Sequence, residues 1–179
     1  MTKLNGSLVL LSTLVCGSAM LLSATATAAE SSFEMASYSN WPGGKEIEAG
    51  DYDAAIAKTA HGAWRLDETS YLVASTNRCV AYTVKREFAA AESACAKAIT
   101  LAVRADNMRY HRFPRESATS KAVTNRGVLR ALSGNSIGAA NDFRKAAAMR
   151  GADEAPNRNL AYLQSSPAHR LALVGAAAE

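Results

Sequence analysis

Aromatic side chains are scarce in this 179-residue chain, at 7% of positions, and only four residues are proline. Sheets draw on aromatic and β-branched residues for their pleated faces, so that scarcity turns the composition away from a sandwich or barrel. Histidine is equally sparse: His61, His111 and His169 stand far apart, none with a second ligand at helical or turn spacing. A metal site needs several such donors converging, so the three are read as surface residues, with no metal and no cofactor. The sequence also lacks a Gly-rich phosphate loop, a Gly-x-Ser-x-Gly elbow and a His-Glu-x-x-His pair. No serine comes with a recognisable base and orienting acid, and the chain is expected not to be an enzyme; a small hydrolase is the third-ranked reading. Charge of one sign is not in large excess either, with 20 Lys and Arg against 16 Asp and Glu. Nucleic-acid binders concentrate basic charge on one face, and +4 over the whole chain does not make that case.

What is present is alanine, in runs such as Ala89-Ala90-Ala91 and Ala146-Ala147-Ala148, within a chain that is 49% hydrophobic. Alanine is the best helix former, and the expected fold class is all-α. The one long apolar stretch, Leu8 to Leu22, follows a short start carrying Lys3 and precedes Ser23-Ala24-Thr25-Ala26-Thr27-Ala28-Ala29. A basic start, an apolar core and a small-x-small site describe a secretory signal peptide. Residues 1–28 are therefore expected to be removed, with cleavage near Ala28/Ala29 and Ala24-Thr25-Ala26 as the alternative site. Spanning a bilayer takes about 20 predominantly apolar residues, and this core is shorter, so no transmembrane anchor is expected in the mature form. Cys16 lies in Leu14-Val15-Cys16-Gly17, but Val15 is too large for a lipobox. The mature protein is then periplasmic or secreted.

Residues 29–45 are Ser-rich and end in Asn40-Trp41-Pro42-Gly43-Gly44, which forbids a continuous helix and predicts an irregular lead-in. Beyond it, four stretches overlay. The first is Gly50-Asp51-Tyr52 with Ala55. The second carries Asn77, Ala81, Tyr82, Phe88, Ala91 and Ala98. The third carries Asn125, Gly127, Gly134, Ala139, Phe143 and Ala146. The fourth is Asn159-Leu160-Ala161-Tyr162. These residues resemble the tetratricopeptide repeat, whose hairpin reads Asn-Leu-Gly-x-Ala-Tyr, a short gap, then Gly-Asp-Tyr-x-x-Ala and a further aromatic and alanine. Tyr52 to Phe88 is 36 residues, near the family's period of about 34, whereas Ala98 to Ala146 is 48. An insert of about 14 residues therefore separates two of the repeats.

The resemblance implies a stack of antiparallel helical hairpins over residues 46–165, with hairpins near 46–62, 67–102 and 117–150. A solvating cap helix follows over 153–165, then a tail over 166–179. Capping residues agree: Asp67, Ser117 or Thr119, and Asn135 or Ser136 each precede a helical pattern, and Gly151 follows one. Stacked hairpins share a core that none can close alone. Such a domain is expected to bind a peptide or protein partner. In the family, the asparagine at the position of Asn77, Asn125 and Asn159 faces the groove. An amide offers both donor and acceptor to an extended backbone; the alternative is that these asparagines cap or bond locally. Lys121 and Arg130 are the cations that could complete a carboxylate clamp.

A second reading rests on the insert. Between Arg104 and Arg130 there are seven basic and two acidic residues. In the insert, Arg104, Arg109, Arg112 and Arg115 interleave with Tyr110 and Phe113, a pattern able to meet an anionic envelope surface. Finally, Cys79 and Cys95 lie on opposite helices of one hairpin, 16 residues apart about a turn near Lys85-Arg86-Glu87. Export takes them to a compartment where disulfides persist, and folding about that turn brings them level. A Cys79–Cys95 disulfide is expected, with two buried free thiols as the alternative.

Overall fold

The computed structural model describes residues 32–60, 68–107 and 117–167. Among them are seven helices and no strand: α1 (Gly44–Glu48), α2 (Tyr52–Ala60), α3 (Glu68–Val84), α4 (Phe88–Asn107), α5 (Ala118–Leu132), α6 (Ser136–Ala147) and α7 (Ala155–Ser165). The fold is all-α. Residues 1–31, with the candidate signal peptide, lie outside the described residues, as do Asp67, Arg109, Arg112, Arg115, the three histidines and residues 168–179.

Each hairpin turns through one left-handed residue: Gly50 (φ 75°), Arg86 (φ 61°) and Gly134 (φ 89°). Glycine enters that region without the Cβ penalty, and nothing else crowds Gly50 or Gly134. The helices start where the capping residues predict. Ser117 accepts from the Ser120 N–H, and Asn135 accepts from the Gly138 N–H at 2.8 Å.

Alanine sets how closely the helices approach. Ala98, Ala102 and Ala105 of α4 meet Ala118 and Ala122 of α5 around Leu72 of α3. A second cluster joins Val128 and Ala131 of α5, Ala139, Ala140 and Phe143 of α6, and Leu163 of α7. A third holds Cys79, Ala91, Ala94 and Cys95 with Leu129 of the next hairpin, so neighbouring hairpins share core. Inside α3–α4, Cys79 and Cys95 form a disulfide with Cα atoms 4.8 Å apart, within the span that a bridge requires.

The insert begins later than the spacing suggests. Helix α4 runs to Asn107, so Arg104 is helical and Ala105 is buried. Asp106 closes the join between α4 and α5: its carboxylate accepts from Ser117 Oγ (2.8 Å), Ala118 N (3.1 Å) and Thr119 N (3.0 Å). A carboxylate there satisfies orphan amides and faces the positive end of the helix dipole. The last hairpin also ends earlier than expected, at Ala147, and α7 begins at Ala155. No helix among the described residues is long and apolar enough to cross a membrane.

Candidate peptide-binding groove

Helices α3, α5 and α7 each bury one asparagine completely, Asn77, Asn125 and Asn159. An amide buried without partners is costly, so the fate of their donors and acceptors defines the site. Each holds the chain's own lead-in. Asn159 Oδ1 accepts from Glu34 N at 2.7 Å while its Nδ2 donates to Glu34 O at 2.8 Å. Asn125 holds the amide and carbonyl of Ala36 in the same way, both at 2.8 Å. Asn77 accepts from Tyr38 N at 2.8 Å and donates to Tyr38 O at 3.2 Å and Pro42 O at 2.9 Å.

Residues 34, 36 and 38 are alternate positions, and in an extended chain such residues turn the same way. The asparagines thus form a ladder of three rungs along an extended backbone. Residues 32–43, which we call the strap, cross α7, α5 and α3 in that order. Every bond on the ladder goes to the main chain, so the rungs fix register and leave side-chain choice open.

Side chains supply the rest. Phe33 packs on Phe143 with ring centroids 6.1 Å apart and meets Tyr162 edge-on at 4.7 Å, geometries that aromatic pairs favour. Met35 sits between the second and third core clusters. Glu34 takes a bidentate pair from Arg158, both bonds 2.7 Å. Those hydrogen bonds hold the Glu34 carboxyl below its ordinary range, against an opposing effect of burial.

At its other end the strap is turned back by Trp41-Pro42-Gly43-Gly44, where Gly43 has φ 81°. Gly44 has no room for a side chain: a Cβ would lie 2.1 Å from Tyr38 O. The missing side chain lets the strap pass directly over the start of α1.

The structure therefore aligns the three asparagines predicted from sequence, and their partners are backbone groups of residues 34–42. Arg130 does not join them. Its guanidinium pairs with Asp142 of α6 at 2.9 Å, beside the two bonds of 2.9 and 2.7 Å from Arg126. Asp142 is 3% exposed, and a buried carboxylate needs such compensation. Its hydrogen bonds in turn raise the Arg126 pKa. Both cations thus tie α5 to α6. Lys121 lies one turn before Asn125 on α5 and is partly buried. Arg104 is exposed and stands 3.9 Å from Glu68. Helix α7 does more than shield the stack from solvent, because Asn159, Arg158 and Tyr162 make one end of the strap's seat.

Sequence reasoning missed the strap. A Ser-rich stretch closed by Pro-Gly-Gly reads as a leader, and its signal is slight: Phe33 and Met35 alternate with Glu34 and Ala36, a period of two in an otherwise helical chain. Among the described residues no three His, Cys, Asp or Glu side chains gather as a metal set. No protein-family model, curated protein or solved structure matches the chain.

Proposed function

We propose that this chain is an exported interaction module of the tetratricopeptide kind, whose groove binds an extended segment of a peptide or protein in the cell envelope. The observation that supports this is the asparagine ladder: three amides on successive first helices each hold both the N–H and the C=O of one residue of an extended chain. Such bonds are indifferent to side chains and suit a receptor for main chain, much as an added strand is held by backbone pairing. The repeat-like residues Asn77, Asn125, Gly134, Ala139 and Phe143 support the family reading, and the sequence of residues 1–28 supports export.

Two measurements test it. N-terminal sequencing of protein recovered from the periplasm is expected to begin near Ala29; recovery of the intact chain from the cytosol alone would refute export. Capture of a partner from envelope extract on the tagged protein is expected to persist at about 1 M salt, where the Debye length is about 3 Å. Association that washes away at that salt would instead support adhesion to an anionic polymer through residues 104–115.

A further inference from the structure

We propose that residues 32–42 are an exchangeable internal ligand, and that the groove accepts in their place an extended partner segment reading aromatic–acidic–aliphatic. The inference rests on the groove being a peptide-binding surface, and it adds what that surface selects and what competes for it.

The partner's chemistry follows from what the strap's side chains meet. The first position is an aromatic seat between Phe143 and Tyr162. The second faces Arg158, a guanidinium whose fork matches a carboxylate. The third is an apolar niche at the join of two clusters, filled by Met35. Beyond it Ala36 and Ser37 are small, and Asn125 and Asn77 hold main chain only. Selectivity is therefore concentrated in three consecutive residues, with a sequence-tolerant run behind them.

Exchange follows from where the strap is weakest. Its turn end is fixed by Asn77, Pro42 and the close passage over Gly44. Its other end is held by Asn159, by the partly buried Phe33 ring against Phe143 and Tyr162, and by an ion pair whose members are 57% and 46% exposed. Release starts at Phe33 and proceeds toward Tyr38, and it wets the three asparagines rather than leaving them dry. A tethered occupant acts at an effective concentration of about millimolar, so an outside segment meets a groove that is only fractionally open, and its apparent affinity falls by that fraction.

The test uses the full chain and a fluorescein-labelled synthetic peptide spanning Ser32 to Pro42, with binding read by anisotropy. Replacing Phe33→Ser and Met35→Ser together weakens the strap and leaves the groove's own residues untouched. This variant is expected to bind the peptide about tenfold or more tighter than the parent protein. Adding Asn125→Ala to it should remove most of that gain. A peptide carrying Glu34→Lys or Phe33→Ser should bind several-fold more weakly than the unaltered peptide. A folded variant that binds no tighter than the parent overturns the exchange, and altered peptides that bind equally well overturn the stated chemistry.

Should the variant not fold, amide exchange on the parent decides. Glu34, Ala36 and Tyr38 are expected to exchange faster than the core amides of α5; exchange only through global unfolding would make the strap a fixed part of the core. Equal, salt-stable capture of an envelope partner by parent and variant would overturn exchange while the module reading stood. Tight peptide binding without any envelope partner would do the reverse.

Discussion

Hairpins α3–α4 and α5–α6 solve one packing problem in two ways. Residues 79 and 95 are cysteines joined by sulfur, and at the same points 48 residues on, positions 127 and 143 are Gly and Phe. A Cβ on Gly127 would lie 2.5 Å from Cε1 of Phe143, so the ring occupies the space that a side chain at 127 would need. In one hairpin two small side chains bond across the seam, and in the other a large one fills a gap left for it. The separation of 16 residues about the turn is the same. What the seam requires is a fixed distance between helices, and either a covalent bond or a filled void sets it. The two hairpins should therefore fail under different insults.

The largest expected effect is on the void-filled side. Phe143→Ala removes a fully buried ring that also receives Phe33, and such truncations cost about 3–5 kcal/mol. Thermal melts should place this variant at the edge of folding; a melting temperature near the parent's would show that the seam is held elsewhere. Next comes the sulfur. Cys79→Ser with Cys95→Ser opens a loop of 16 residues, worth about 3 kcal/mol in the chain-entropy model. Reductant should lower the parent's unfolding free energy, read from denaturant melts, by a similar amount and leave the double variant's unchanged. Two alkylatable thiols in protein purified without reductant would show instead that the hairpin is packed without a bond. Gly127→Ala is smaller, about 1–3 kcal/mol, the usual range for overpacking, and it should be partly rescued by Phe143→Leu.

The turns sharpen the same comparison. Arg86 adopts the left-handed conformation that Gly134 adopts in the sister hairpin. That conformation costs a residue with a side chain about 1–2 kcal/mol, less the added freedom that glycine brings to the unfolded chain. Arg86→Gly should therefore stabilise by roughly 0.5 kcal/mol; a lower denaturant midpoint would reverse that view of the turn. The smallest effect is on the strap. Glu34 has a depressed pKa because Arg158 donates to it, so that contribution is present above the ordinary value of 4.5 and is lost as pH falls through the folded value. Strap amide resonances should be constant from neutral pH down to about that value and shift below it; movement at neutral pH would implicate another group.

The hairpins were legible because their determinants are local. Gly50 and Gly134 at turns, Ser117 and Asn135 at caps, and alanines three and four apart each act within a few residues of themselves. The disulfide was legible because turn position and helical rise alone bring Cys79 level with Cys95. The site was legible only in part. Asn77, Asn125 and Asn159 stood out because they recur, but what they hold did not: their partners are 39, 89 and 125 residues distant, and a backbone has no side-chain signature. The partner of Arg130 was not legible for a related reason. Its distance from Asn125 along the helix says nothing of Asp142, which reaches it from α6 and already binds Arg126. A departure from the repeat period before Arg104 does not say where the helix ends, and α4 continues through Ala105, which is buried.

The ladder also imposes an order on the life of the chain. Glu34 lies in about the first fifth of the chain to leave a ribosome, yet its rung on Asn159 waits for a helix made 125 residues later. Chain closure over such spans is slow relative to hairpin formation. The rungs on Asn77 and Asn125 come off the ribosome sooner, so the end of the strap at Glu34 is the part left without its partner until α7 is made. A nascent chain stopped before Ala155 would carry both hairpins and no closure at that end. Closure of the rung on Asn159 thus waits until synthesis has passed α7.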